Sequence, residues 1–133
     1  MLIVNFSDPL TPADVARVEA LMGEHVTEVR GEMPEFDRDR PLDEQVRDLV
    51  DRLSLTPEAW RAFLVVVNPP GYAPAAAVLL AELHGRTGYF PAILRLCPVE
   101  DSLPTCYEVT DVVDLQGVRD AARRNACIPP PED

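Results

Sequence analysis

The feature that most constrains the fold is a run of five apolar residues at 63–67, followed by Asn-Pro-Pro-Gly-Tyr at 68–72 and an alanine-rich segment. A continuous apolar run predicts a strand covered on both faces, as in a parallel sheet. Pro74 predicts a helix start, because the missing N–H of proline is harmless in the first turn. That turn contains Ala75 and no acid, so an anion could approach its positive end. The loop at 68–72 should therefore lie at the carboxyl edge of the sheet, where open α/β proteins bind ligands.

Strands and helices alternate along the rest of the chain. Caps, prolines, glycines and apolar periodicity predict helices at residues 11–22, 41–53, 74–86 and 115–124, with a short extra turn at 56–60. Apolar runs and alternation predict strands at residues 2–5, 25–29, 63–67, 90–96 and 107–113. The last two strands should be antiparallel neighbours, because their connection is too short for a crossover. The order predicts an α/β fold of Rossmann-like type, with a mostly parallel five-stranded sheet of order 2-1-3-4-5 and an antiparallel edge strand.

The chain of 133 residues, 47% of them hydrophobic, is long enough to bury one core. We expect a single domain at residues 1–127 and a disordered tail at 128–133. The cysteines, Cys97, Cys106 and Cys127, are odd in number and have no C-x-x-C spacing, which predicts reduced, partly buried thiols and no zinc site. A disulfide between Cys97 and Cys106 is an alternative that only an oxidising compartment would favour.

Charge and hydropathy limit the partners that this chain can have. The net charge is −11, and all 12 basic residues are arginine, so long nucleic acid is an unfavourable partner. A compact anion is still possible, because charges farther away than roughly 8 Å are largely screened at physiological salt. No apolar run approaches the roughly 20 residues of a membrane span, and no leader pattern opens the sequence. We therefore expect a cytoplasmic protein without a membrane partner.

The predicted topology brings the ends of the first and third strands together around a crevice. The candidate ligand-binding residues are the ones that follow these strands or open the next helix, namely Asn5, Phe6, Ser7, Asn68, Pro69, Pro70, Gly71, Tyr72 and Ala75. Asn5 and Ser7 suit phosphate oxygens or ribose hydroxyls, although Ser7 could simply form a turn with Asp8. Gly71 should allow positive φ or close backbone approach, or else serve a turn that only the fold requires. Tyr72 could stack on a base or cap the core.

The two histidines give a weaker signal. His84 could act as a general acid or base and Arg86 as a phosphate clamp, but about 12 helical residues at about 1.5 Å each separate His84 from the crevice by about 18 Å. They could therefore contribute only from a partner subunit. The alternative is a basic helix end followed by a glycine cap. His25 is predicted to be structural, and the acids at 32–40 are predicted to form a solvated loop.

Four segments resemble small CRISPR-associated accessory proteins of type III systems. They are Leu-Ile-Val-Asn-Phe-Ser with Pro-Leu-Thr-Pro near the start, Val-Asn-Pro-Pro-Gly-Tyr-Ala-Pro-Ala-Ala-Ala-Val-Leu-Leu-Ala-Glu-Leu-His-Gly-Arg in the centre, Phe-Pro-Ala-Ile, and Leu-Gln-Gly-Val-Arg-Asp-Ala-Ala-Arg. This resemblance implies a relative of the Rossmann-fold domains that bind cyclic oligoadenylate messengers, usually as dimers, at the carboxyl ends of their strands. Related small proteins include ring nucleases, which linearise the messenger.

The expected function follows from this resemblance. We expect the protein to bind a cyclic oligoadenylate, in particular cyclic tetra-adenylate, between subunits of a homodimer or larger assembly, and to sequester it. The sequence has no P-loop, G-x-G-x-x-G, G-x-S-x-G or metal-spaced motif, so we expect no cofactor, no metal and no catalytic residue. A metal-independent ring nuclease completed by His84 or Arg86 is one alternative. A protein-interaction module that binds no nucleotide is another.

Overall fold

A computed structural model describes residues 1–126, and the predicted tail at 128–133 lies outside them. The strands are β1 (Leu2–Asn5), β2 (Glu28–Arg30), β3 (Val65–Asn68), β4 (Ala92–Pro98) and β5 (Tyr107–Asp114). The helices are α1 (Pro12–Met22), α2 (Leu42–Asp51), α3 (Pro57–Ala62), α4 (Ala73–Thr87) and α5 (Leu115–Asn125).

The sheet has the predicted topology. Its order is β2-β1-β3-β4-β5, in which β1 pairs in parallel with β2 and β3, and β3 pairs in parallel with β4. Strand β5 pairs antiparallel with β4, with a register shift between Arg95 and Leu96. The Rossmann-like α/β prediction is therefore confirmed. The carboxyl ends of β1 and β3 lie side by side, as the predicted crevice requires.

Capping residues in the sequence explain where three of the five described helices begin and where α1 ends. Thr11 and Asp14 form a reciprocal capping box at α1, which ends at Gly23 with φ of 68°. Thr56 caps α3 through its hydroxyl, and Asp114 caps α5 through its carboxylate.

The sheet has a core on each face. Leu2, Val4, Val65 and Val67 pack with residues of α2 and α4 in the first core, which also buries Trp60. In the second core, the opposite faces of β1 and β3 pack with β4, β5 and α1. The buried residues of this second core are Met1, Ile3, Val18, Val26, Val66, Leu94 and Val109. Burial of β1 and β3 on both faces is what their unbroken apolar sequence predicts.

The predicted starts of β3 and β4 are wrong. The run at 63–67 does not form strand throughout, because Phe63 closes α3 and its N–H bonds to Ala59. Phe63 and Leu64 are consequently 54% and 39% exposed. Strand β4 begins at Ala92 instead of residue 90.

The second strand is also shorter than predicted. Strand β2 covers three residues, because Val26 bonds through its N–H to the Glu19 carboxylate at 2.8 Å before the strand begins. His25 precedes the strand, and its Nδ1 lies 2.6 Å from Oε2 of Glu19, with its side chain 83% exposed. The Glu19 carboxyl pKa is lowered, chiefly by the backbone bond from Val26 and also by His25.

The described cysteines are free thiols. Cys97 is half-buried on β4, and Cys106 is exposed in the loop before β5. The prediction of partly buried thiols is therefore wrong for Cys106, because this residue lies on the surface loop that connects the two antiparallel strands. Cys127 lies outside the described residues.

Candidate functional site

The predicted crevice is closed by the two asparagines that were expected to line it. Asn5 and Asn68 are paired across β1 and β3, and they are only 7% and 5% exposed. Asn68 donates from Nδ2 to Oδ1 of Asn5 at 2.9 Å, and that oxygen also accepts the N–H of Ser7 at 3.1 Å. The Asn5 amide donates in turn to the Asp8 carbonyl at 3.0 Å. These hydrogen bonds join the two strand ends and stabilise the turn that follows β1. Ser7 lies in this turn, as the alternative to a ligand role predicted.

This amide pair gives a first prediction. Replacing Asn68 with alanine removes one hydrogen-bond donor from Oδ1 of the buried Asn5 side chain. We therefore expect a loss of about 1–3 kcal/mol in unfolding free energy. Urea denaturation would measure the loss. Asn125→Ala, an exposed change at the end of α5, is the matched control and should change stability little. Equal stability losses in both variants would contradict the structural role of the pair.

Other predicted ligand residues lie inside the fold. The side chains of Phe6 and Ala75 are 0% exposed and belong to the first core. Pro70 is buried and Pro69 is half-buried, so the loop after β3 packs against the body of the protein through these two prolines. The structure therefore keeps these four side chains largely away from the surface of the carboxyl edge.

Gly71 does not have the positive φ that was one of the alternatives predicted for it. Its φ lies outside the left-handed region, and a Cβ built on it meets no atom of residues 1–126 within 4 Å. The glycine whose backbone conformation requires the absence of a side chain is Gly31, just after β2. There φ is +117°, and a Cβ would lie 2.5 Å from the carbonyl oxygen of Asn5. The close backbone approach at this edge is thus between β2 and β1.

Tyr72 lies in a cavity that does open to the carboxyl edge. The cavity has a volume of about 410 Å³ and is lined by residues that follow β2, open α2 or precede α4, namely Phe36, Asp37, Arg38, Arg40, Leu42, Gln45 and Tyr72. Tyr72 is 54% exposed, and its ring centroid is 6.0 Å from that of Phe36, with the planes tilted by 44°. A cavity of this size suits a small organic ligand.

Gln45 holds the wall of the cavity in place. Its side chain is only 8% exposed. Its Oε1 accepts the Asp37 N–H at 2.7 Å, and its Nε2 donates to the carbonyls of Asp37 at 2.8 Å and Arg40 at 3.0 Å. The charged segment at 32–40 is therefore attached to α2 by three hydrogen bonds, although most of its side chains are solvated as predicted.

The cavity concentrates positive charge in an acidic protein. Arg38 is exposed and has no carboxylate within ion-pair distance in the described part of the chain. Arg40 lies 3.4 Å from the Asp48 carboxylate, an exposed pair that water screens strongly. Asp37 is the one acid among the lining residues. Two guanidinium groups beside two aromatic rings can bind an anion that carries a flat ring.

His84 and Arg86 are engaged at the opposite end of α4. Arg86 contacts Asp51 at 2.8 Å and Glu82 at 2.9 Å. Burial acts to lower the Arg86 pKa, but hydrogen bonds with these two carboxylates outweigh it, and the pKa is raised. The His84 ring packs on Phe90, with centroids 4.4 Å apart. Gly88, with φ of 83°, ends the helix, so the glycine-capped basic terminus is confirmed.

Six lining residues were not predicted as a site: Phe36, Asp37, Arg38, Arg40, Leu42 and Gln45. A signal for them does exist in the sequence, because Phe36 is a single aromatic residue in a charged, aperiodic stretch that contains Arg38 and Arg40. Such a stretch between a strand and a helix reaches the same edge as the loop after β3.

The fold and cavity define a Rossmann-like α/β protein with an arginine- and aromatic-lined cavity at the carboxyl edge of its sheet. Within residues 1–126, no three His, Cys, Asp or Glu side chains gather in a way that could hold a metal ion. No helix in that range has the length and apolar character needed to cross a membrane. No family model, curated protein or solved structure matches the chain.

Proposed function

We propose that this protein binds a cyclic oligoadenylate, in particular cyclic tetra-adenylate, and regulates type III CRISPR signalling by lowering the free concentration of the messenger. The observation that carries the proposal is the cavity in which Tyr72 and Phe36 lie beside Arg38 and Arg40. The choice of messenger rests on the resemblance of the sequence, and the cavity supports the chemical class to which that messenger belongs.

Each part of an adenylate has a counterpart among the lining groups. The exposed Tyr72 ring offers a stacking surface, and base–aromatic stacking contributes roughly 1–3 kcal/mol per base. Arg38 and Arg40 offer paired N–H donors to a phosphodiester. The adjacent first turn of α4 carries no acid, so its backbone dipole also favours an anion.

The size of the cavity bears on how a ring of several nucleotides would bind. A volume of about 410 Å³ suits one nucleotide and not the entire ring. We therefore include in the proposal a homodimer, or a larger assembly, in which cavities of different subunits contact different nucleotides of the same ring. Affinity would then depend on both subunits.

Substitutions in the cavity test this proposal. Tyr72→Ala removes the stacking surface, and we expect it to weaken binding of labelled cyclic tetra-adenylate by roughly 10-fold or more. Arg38→Glu should weaken it at least as much, because it places a carboxylate beside a phosphate. Equilibrium binding without added metal is the measurement. Arg17→Glu, on α1 at the other face of the sheet, changes net charge equally and is the control that should retain affinity.

The products of the same incubation separate the remaining functions. Intact ligand at excess protein, with binding lost in the cavity variants, supports sequestration. Linear adenylates accumulating at substoichiometric protein would establish a ring nuclease instead, and His84→Ala would then test the contribution from a partner subunit. Absence of binding to any cyclic oligoadenylate would overturn the proposal and leave the protein-interaction module.

A further inference from the structure

The polar side chains of the cavity divide into those that the fold uses and those that a ligand can reach. The Gln45 amide is used by the fold, because its Oε1 accepts the Asp37 N–H and its Nε2 donates to the carbonyls of Asp37 and Arg40. Oδ1 of Asp37 likewise accepts the Asp39 N–H at 2.9 Å. Arg38 and Arg40 are exposed, and only Arg40 has a carboxylate within ion-pair distance in the described chain. These two guanidinium groups are therefore the side-chain donors that a ligand can bind.

The apolar lining of the cavity suits one flat ring. Phe36 and Leu42 are half-buried and pack against the first core, so they form a fixed apolar wall. Tyr72 adds a ring that is 54% exposed. Stacking on an aromatic side chain tolerates any base, because every base has a π-face. Since the amide of Gln45 is engaged by backbone, the lining offers a surface for a base and no free amide that would distinguish one base from another.

The arginines do not distinguish a cyclic oligonucleotide from a single nucleotide. A phosphodiester within the ring has one negative charge, whereas a terminal phosphate has roughly two at neutral pH and three acceptor oxygens. Guanidinium groups bind both kinds of phosphate through charge-assisted hydrogen bonds. A volume of about 410 Å³ also suits one nucleotide. Preference for a ring must therefore come from two cavities that contact it at the same time, because linked contacts raise the effective concentration.

We infer that the cavity of each subunit binds single 5′-nucleotides, with little dependence on the base, and that these nucleotides compete with the cyclic oligoadenylate. The binding of a single nucleotide follows from the cavity alone, whereas the competition rests on the proposed function. Free nucleotides then regulate the protein, because they raise the messenger concentration that is needed to fill the paired cavities.

Equilibrium binding of 5′-AMP to the full chain tests the first part of this inference. We expect one 5′-AMP per chain, and 5′-GMP should bind within about 5-fold of it, because stacking tolerates both bases. Adenosine and orthophosphate should each bind about 10-fold or more weakly, because each lacks one of the two kinds of contact. Tyr72→Ala and Arg38→Glu, at two exposed side chains, should each weaken 5′-AMP binding by about 10-fold or more. Arg17→Glu should leave it unchanged.

Displacement of labelled cyclic tetra-adenylate by 5′-AMP tests the second part. We expect displacement only above the Kd of 5′-AMP, because the ring is held by two cavities. A ring that binds while 5′-AMP does not, or 5′-AMP that binds without displacing the ring, would overturn the inference and leave the proposed function. Unchanged 5′-AMP affinity in both Tyr72→Ala and Arg38→Glu would also overturn the inference. Binding of 5′-AMP that these variants lose, with no cyclic oligoadenylate bound by the wild type, would overturn the proposed function alone.

Discussion

Replacing Gly31 with alanine should destabilise the protein by about 3 kcal/mol or more, a large fraction of the stability of an ordinary domain. Gly31 has φ of +117°, a conformation that other residues rarely adopt. The added Cβ would also lie 2.5 Å from the Asn5 carbonyl oxygen and 3.1 Å from its nitrogen. Both contacts are with backbone of the interior strand β1, so relief requires the ends of β1 and β2 to separate. Urea denaturation, with an unchanged slope, would measure the loss.

Gly85→Ala is the matched control for this prediction. Gly85 lies within α4, and a Cβ there meets no atom of the described residues within 4 Å. Alanine should therefore stabilise the helix by roughly 0.5–1 kcal/mol. Because Gly31 also begins the segment that leads to Phe36, Gly31→Ala should also weaken the proposed binding of cyclic tetra-adenylate. A Gly31→Ala protein as stable as the wild type would contradict the close packing of β2 on β1.

Replacing Phe6 with alanine is expected to cost about 3–5 kcal/mol, because it removes a fully buried aromatic side chain from the first core. Phe6 follows β1 and was predicted as a ligand contact. The loss of unfolding free energy in this variant measures the contribution of Phe6 to packing. A loss of stability of this size identifies Phe6 as core. Thermal and urea unfolding should give the same ranking of variants.

Phe63→Ala is the control, because it removes the same atoms from a side chain that is 54% exposed. We expect a much smaller loss, since most of the ring is already in water. Equal losses from Phe6→Ala and Phe63→Ala would show that burial does not distinguish the two positions.

The topology could be predicted because several local signals agree on it. Unbroken apolar residues identify β1 and β3 as buried on both faces, Thr11 and Gly23 bound α1, and the short connection before β5 allows only an antiparallel pair. The errors lie at boundaries. Phe63 and Leu64 are as apolar as the strand that follows, and only the hydrogen bond from Phe63 to α3 takes them out of it.

The site was harder to predict, for a physical reason. Asn5 and Asn68 were predicted from the sequence as ligand contacts. The hydrogen bond from Asn68 Nδ2 to Asn5 Oδ1, which joins the two side chains to each other, forms only once the strands have paired. The cavity wall depends on Gln45, which bonds to backbone five and eight residues away and has no periodic signature. Tyr72 was predicted to lie at the carboxyl edge, where its ring is 54% exposed, but its neighbour Phe36 comes from a stretch in which no regular element forms.

The position of β1 between β2 and β3 also affects how the protein folds during synthesis. Residues 2–5 are made early, yet their partner β3 ends at residue 68, more than sixty residues later. At a synthesis rate of roughly 5–20 residues per second, about 3–12 s pass between the synthesis of β1 and that of β3. During this interval the four residues of β1, three of them apolar, have only the three-residue β2 to pair with. We therefore expect β1 to remain without this partner strand in nascent chains shorter than about 70 residues.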